Sequence, residues 1–247
     1  MQFLYLSLRT PIKNSGDENV ANKDLRDWIR ELDAAGQLQH VSGADHHEEI
    51  GAIVDIHMHK MTNPAVMFDD IPGFPKGTRV LANILTSVPR INIALGKPID
   101  TTEIELVNYW REYMKDQPMH APVEVNGGPL VENVFEGDDI DIMTIPAPKW
   151  HELDGGYFIG TACMVIMKDP DTGWINYGAY RVQAHDAKTA SVMVSKGKHG
   201  DILMRKYFER GEPCPIAVVA GMHPALFMVA GLEMPYGKNE YDCAGGL

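Results

Sequence analysis

Cysteine is scarce in this 247-residue sequence: Cys163, Cys214 and Cys243 are its only three, and none falls in a CxxC spacing. Neither a disulfide framework nor a thiolate zinc site is therefore expected, which suits a reducing, cytoplasmic setting. Positive charge is also short, with 22 Lys and Arg against 34 Asp and Glu and a formal net charge of -12. Phosphate backbones and anionic lipid are recognised through an excess of Lys and Arg, so nucleic-acid and membrane-surface partners are excluded and small molecules favoured. No apolar run approaches the roughly 20 residues of a membrane span. The opening MQFLYLSLRTPIK has no basic segment ahead of its short apolar stretch, so no secretory leader is expected either. The sequence also lacks GxGxxG after a strand, a Walker loop, GxSxG and HExxH, which removes the commonest nucleotide and hydrolase signatures.

What is present has globular proportions, 45% hydrophobic and 23% charged. After a polar lead around Asn14 to Asn22, the segment Leu25 to Leu38 sets Leu25, Trp28, Ile29 and Leu32 on one helical face. Asp45 with Glu48 has capping-box character ahead of a second helix reaching about Met61, and Thr102 with Glu105 opens another through Tyr113. Apolar stretches at Ala65 to Phe68 and Arg79 to Leu85 predict strands. Pro118, Pro122 and Asn126-Gly127-Gly128 then bring hairpin signals. Strand-like runs follow at Tyr157 to Met167, Trp174 to Ala184, Ser191 to Val194 and Pro215 to Ala220. Helical segments are expected at His199 to Arg210 and Pro224 to Gly231. The expected class is α+β: an α/β unit over residues 1–116, then a hairpin-linked antiparallel sheet or barrel over 117–247. The ending NEYDCAGGL has no polar tail, so the chain is expected to stop inside a fold.

Two features invite chemistry. His57 and His59 are two apart, but on a helix that spacing points side chains about 200° from each other, which opposes joint ligation of a metal. These histidines, with His46 and His47, are expected to be surface or half-buried groups. The run WINYGAYR, Trp174 to Arg181, places Asn, Gly and Arg inside a strand at the expense of β-propensity. A strand Gly admits a ligand or a second backbone, and Arg offers a planar donor fork for a carboxylate or phosphate. On composition alone, a bulge with a solvated Arg explains the same run.

The stretch DPDTGWINYGAYRVQAHD, with KGKHG and NEYDCAGGL after it, resembles the core of UbiD-type decarboxylases. LRDWIRELDAAGQL, EIGAIVD, NPAVMFDDI and GTRVLANIL are similar to that family's amino-terminal domain in order and spacing. The likeness runs from Leu25 to Leu247, and whole family members are about twice as long. It implies an FMN-binding split β-barrel in 117–247, incomplete here because the carboxy-terminal domain is absent. It also implies that Asn176, His199 and Glu240 hold Mn2+ or Mg2+, which grips the phosphate of a prenylated FMN. Amide oxygen, imidazole and carboxylate form a mostly hard ligand set suited to these ions. On the residues alone, the same three read as a strand Asn, a helix-start His and a loop Glu.

By the same resemblance, the Trp174 carbonyl and Val229 to Leu232, with Ala230, Gly231 and Leu232, imply a K+ site, although Glu233 stands where the family often has an uncharged residue. The resemblance further implies that Tyr177, Gly178, Ala179 and Tyr180 line the flavin, that Lys198 reaches its phosphate or ring edge, and that Arg181 orients the substrate carboxylate. The family's two further glutamates lie downstream of Leu247. The implied reaction is reversible, non-oxidative decarboxylation of an aromatic or α,β-unsaturated acid, with CO2 as the other partner. A cofactor must accept the negative charge that ordinary side chains cannot delocalise, and a buried Arg181 in a dry apolar pocket supplies position. A prenyl-flavin synthase as cofactor source and a homo-oligomer are the implied partners. Two alternatives remain: a non-catalytic flavin-binding or assembly half, and a split-barrel flavin oxidoreductase.

Overall fold

The computed structural model describes residues 24–116 and 118–247; the polar lead lies outside them. Helix α1 (Leu25–Ala34) starts where the Asp24 carboxylate accepts from the N–H groups of Arg26 and Asp27, at 2.7 and 3.0 Å. It buries Trp28 and Leu32 completely and ends before Gly36, which adopts a φ of 65°. The expected helix tail is instead strand β1 (Leu38–Ser42), which pairs in parallel with β2 (Ala65–Asp69). Helix α2 (Glu49–Met58) makes the crossover between them, and β3 (Val80–Ala82) adds antiparallel to β2. Helices α3 (Val88–Ala94) and α4 (Glu103–Asp116) complete this half.

The two capping boxes fare differently. Thr102 and Glu105 form theirs: the Thr102 backbone N–H and hydroxyl donate to the Glu105 carboxylate at 2.9 and 2.7 Å. At α2 the reciprocal carboxylate comes from Glu49, which accepts from the Asp45 N–H at 2.8 Å, not from Glu48. Glu48 turns away with a φ of 75° because Lys149 holds it twice. Its N–H donates to the Lys149 carbonyl at 2.8 Å, and its carboxylate meets the ammonium at 2.6 Å.

Residues 118–156 form no hairpin at Asn126-Gly127-Gly128. They carry single 3-10 turns at Pro129–Val131, Gly137–Asp139 and Ile142–Thr144. Strand β4 (Tyr157–Gly160) pairs with β7 (Arg181–Ala184), and β5 (Cys163–Lys168) with β6 (Ile175–Gly178), both antiparallel. One long hairpin is thus bent at Thr161-Ala162 and Ala179-Tyr180 so that its two ends serve different sheets. Strand β8 (Ala190–Met193) extends one as β4-β7-β8, and β9 (Ile216–Ala220) extends the other as β6-β5-β9. Both sheets are open, and no closed barrel forms among the described residues. Helices α5 (His199–Glu209), α6 (Pro224–Ala230) and α7 (Glu240–Gly245) surround them. The α+β class stands.

The core of this half contains Val165, Met167, Tyr177, Val182, Leu203 and Val229, and Tyr113 of α4 joins it. The Tyr113 hydroxyl donates to the Cys243 carbonyl at 2.6 Å. A second seam runs along α2, where a Cβ on Gly51 would overlap the Trp150 carbonyl. No helix of the described residues is long and apolar enough to cross a membrane.

Candidate functional site

Strand β6 brings Asn176 and Tyr177 into the interior together, 2% and 1% exposed, because α5 covers one face and the core the other. Opposite Asn176, α5 begins with His199, whose Nδ1 lies 3.2 Å from the Asn176 Oδ1. Glu240, the first residue of α7 rather than a loop residue, is 2% exposed, and its carboxylate accepts from the Tyr177 N–H at 3.2 Å. Three segments far apart in sequence thus meet around two residues of one strand. The contacts are not equal: Asn176 and His199 touch, whereas no ring nitrogen of His199 comes within 4 Å of the Glu240 carboxylate among the described residues.

The electrostatics are those of a site short of positive charge. Burial pushes the Glu240 carboxyl up to about 7, against the pull of backbone N–H groups, and no Lys or Arg pairs with it among the described residues. Burial also holds His199 below the ordinary imidazole range, opposed by Glu233, a shift that favours the neutral ring a metal ligand requires. The Asn176 Nδ2 is buried with no hydrogen-bond partner among the described residues. A divalent cation fits this set on chemistry: it would draw the proton from Glu240 and take oxygen and nitrogen lone pairs already gathered there.

Around these groups, a Cβ on Gly178 would stand 2.8 Å from the Tyr180 ring, and one on Gly200 2.9 Å from its hydroxyl. The Ala179 N–H donates to the Ala230 carbonyl at 3.1 Å, tying the strand bend to the end of α6. Gly231 and Leu232 follow at the α6 terminus, and the Trp174 carbonyl already accepts from the Asp169 N–H at 2.7 Å. Lys198 pairs with Glu233 at 2.8 Å on the surface.

Arg181 departs from the expectation of burial. It is exposed at the start of β7, its guanidinium 5.8 Å from the Phe158 ring centroid, with no carboxylate within 4 Å among the described residues. The bend at Ala179-Tyr180 changes the strand's inside–outside phase, so Val182 points into the core and Arg181 away from it. His57 and His59 do not converge: buried His57 bonds the Ile53 carbonyl and Gln39, while exposed His59 bonds the Asp55 carbonyl. Sequence reasoning missed Tyr236, which packs against both Trp174 and His199 from a loop carrying no motif.

Residues 122–247 match the family described as the 3-octaprenyl-4-hydroxybenzoate carboxy-lyase Rift-related domain, and residues 29–110 its N-terminal domain. The chain belongs to the UbiD family. Among relatives, pyrrole-2-carboxylic acid decarboxylase of Pseudomonas aeruginosa is 29% identical over 237 residues, covering 93% of this chain and 47% of its own length. Among solved structures, vanillic acid decarboxylase of Sedimentibacter hydroxybenzoicus in its closed form superposes with a TM-score of 0.85 at 25% identity, covering 92% of this chain and 49% of that one. An evolved dimeric form of the UbiD-class enzyme HmfF from Pelotomaculum thermopropionicum, in complex with prFMN, shares the fold at a TM-score of 0.79 and 22% identity, covering 91% and 50%. The chain therefore spans about half the length of the UbiD relatives it matches.

Proposed function

We propose that this chain forms the cofactor-holding part of a carboxy-lyase that removes or adds CO2 on an aromatic or α,β-unsaturated acid. The observation that carries the reading is the buried meeting of Asn176, His199 and a Glu240 carboxyl that lacks a basic partner among the described residues. These three would hold Mn2+ or Mg2+, and through it the phosphate of a prenylated FMN. When bound, that flavin supplies the electron sink for the carbon that loses CO2. The chain's own residues bind and position: Tyr177, Gly178, Ala179 and Tyr180 shape the strand bend on which the flavin would lie. Lys198 would exchange Glu233 for phosphate, and Arg181 would receive the substrate carboxylate. A K+ ion beside the phosphate would use the second lone pairs of the carbonyls at Trp174 and 229–232.

The finer elements of the same reading are two units, 1–116 and 117–247, completion of the open sheets into a split barrel, a homo-oligomer, and a prenyl-flavin synthase as cofactor source. The exposed position of Arg181, with no carboxylate within 4 Å among the described residues, favours a second reading in which those residues hold flavin without turning over.

The test is metal and flavin analysis of the protein co-expressed with a prenyl-flavin synthase, beside an Asn176→Ala, His199→Ala double variant. Stoichiometric flavin and manganese in the wild type, both lost in the variant, is the expected result. A folded double variant that keeps its metal and flavin would overturn the assignment.

A further inference from the structure

We propose that Tyr236, together with Trp174, braces the His199 imidazole in one orientation before any cation arrives, which makes Tyr236 a positioning residue of the site. The inference rests on reading Asn176, His199 and Glu240 as a divalent-cation site. An imidazole turns about two side-chain bonds, and a ligand ring is normally held by an outer partner, most often a carboxylate or carbonyl on its second nitrogen. His199 has no carboxylate within 4 Å among the described residues, and its Nδ1 faces Asn176, itself one of the proposed ligands. Orientation has to come from packing.

Two rings supply it. Trp174 meets His199 at 5.3 Å between centroids and 72° between planes, and Tyr236 meets it at 5.5 Å and 84°. Trp174 and Tyr236 also touch each other, at 4.7 Å and 60°. These are edge-to-face arrangements, which aromatic rings prefer over a face-to-face sandwich.

Each bracing ring also carries a hydrogen bond at its polar end. The Trp174 Nε1–H donates to the Lys238 carbonyl at 3.0 Å. The Tyr236 hydroxyl donates to the Asp169 carboxylate at 3.2 Å, and Lys206 holds the same carboxylate oxygen at 2.6 Å. Tyr236 is 51% exposed, so burial does not hold it there. Its position follows chiefly from contact with the two rings, which the tether only reinforces. The loop between α6 and α7 that carries Tyr236 also delivers Glu240. The brace therefore registers the Glu240 segment against α5 and against the turn that precedes Trp174.

The experiment titrates Mn2+ into wild type, Tyr236→Ala and Tyr236→Phe, following loss of the free-ion electron paramagnetic resonance signal. It also records the His199 imidazole nitrogen resonances of each protein without metal. Tyr236→Ala is expected to weaken Mn2+ binding about tenfold, the lower end of the range for losing an outer-shell partner. Tyr236→Phe keeps the ring and should stay within about threefold of wild type. In metal-free protein the His199 resonances should be sharp in wild type and Tyr236→Phe, and exchange-broadened in Tyr236→Ala. Thermal melting identifies any variant that fails to fold, and Tyr236→Phe keeps the comparison open in that case.

Tyr236→Ala binding Mn2+ as tightly as wild type, or Tyr236→Phe binding as weakly as Tyr236→Ala, would overturn the brace. If wild type binds no Mn2+, the cation-site reading fails instead. The brace is then decided by the resonances alone, equal sharpness in all three proteins counting against it.

Discussion

Asp169 offers the most quantitative test of the chain's electrostatics. It is 1% exposed at the turn between β5 and β6, and four groups converge on it. Lys206 lies 2.6 Å away, the N–H groups of Asp171 and Thr172 donate from 2.8 and 3.3 Å, and the Tyr236 hydroxyl donates from 3.2 Å. Burial alone would push this carboxyl up, but the Lys206 ammonium and the two backbone donors outweigh it and bring it from 3.8 to about 2. At about 1.4 kcal/mol for each tenfold change in proton affinity, that difference bounds the charge's contribution at about 2.5 kcal/mol. Lys206 is 27% exposed and also meets Asp171 at 3.1 Å, so solvent and sharing reduce the figure to about 1–2 kcal/mol. The folded-state value is depressed, so the stabilisation is complete above about 4 and fades as pH falls through about 2. Asp169→Asn is the perturbation, with urea unfolding at pH 7 and again near pH 2.5 as the assay. The variant should be less stable by about 1–2 kcal/mol at pH 7, and the gap should narrow markedly at the lower pH. A gap of the same size at both values would refute the argument, because it would come from shape and not charge.

At the seam between α2 and the Trp150 backbone, Gly51→Ala should lower the melting temperature by a few degrees. Overlap of the new Cβ with the Trp150 carbonyl outweighs the gain of up to about 1 kcal/mol that Ala brings inside a helix. A rise in melting temperature would show that the seam yields freely. If the proposed carboxy-lyase role holds, Arg181→Ala in a full-length form should leave stability unchanged and flavin retained while CO2 release is lost, the position being exposed here; normal turnover in that purified variant would remove Arg181 from the mechanism.

How far the sequence could be read depended on whether local rules decided the outcome. Thr102 and Glu105 cap α4 as their spacing predicts, because both partners lie within one turn. Strand β1 was not legible. Gly36 correctly marks where α1 must stop, but Leu38–Ser42 becomes a strand only by pairing with Ala65–Asp69, a partner more than twenty residues away. The capping role expected of Glu48 fails for a similar reason: its backbone is set by Lys149, about a hundred positions later. The run Trp174 to Ala184 reads as extended from its residues, yet its bend at Ala179-Tyr180, and hence the outward face of Arg181, has no periodic signature. The Asn176, His199 and Glu240 grouping came from resemblance, since nothing in their spacing brings three such distant segments together. Tyr236 was invisible because a loop tyrosine has no pattern of its own.

The bent hairpin carries a consequence for how this half comes apart. Residues 157–168 and 175–184 each supply a strand to both sheets, so neither sheet can separate from its neighbours while the other keeps its full complement of partners. The two sheets should therefore open as a single cooperative unit. In native-state hydrogen exchange, the amides of Val165 in one sheet and Val182 in the other, both fully buried, should report the same opening free energy and the same denaturant dependence.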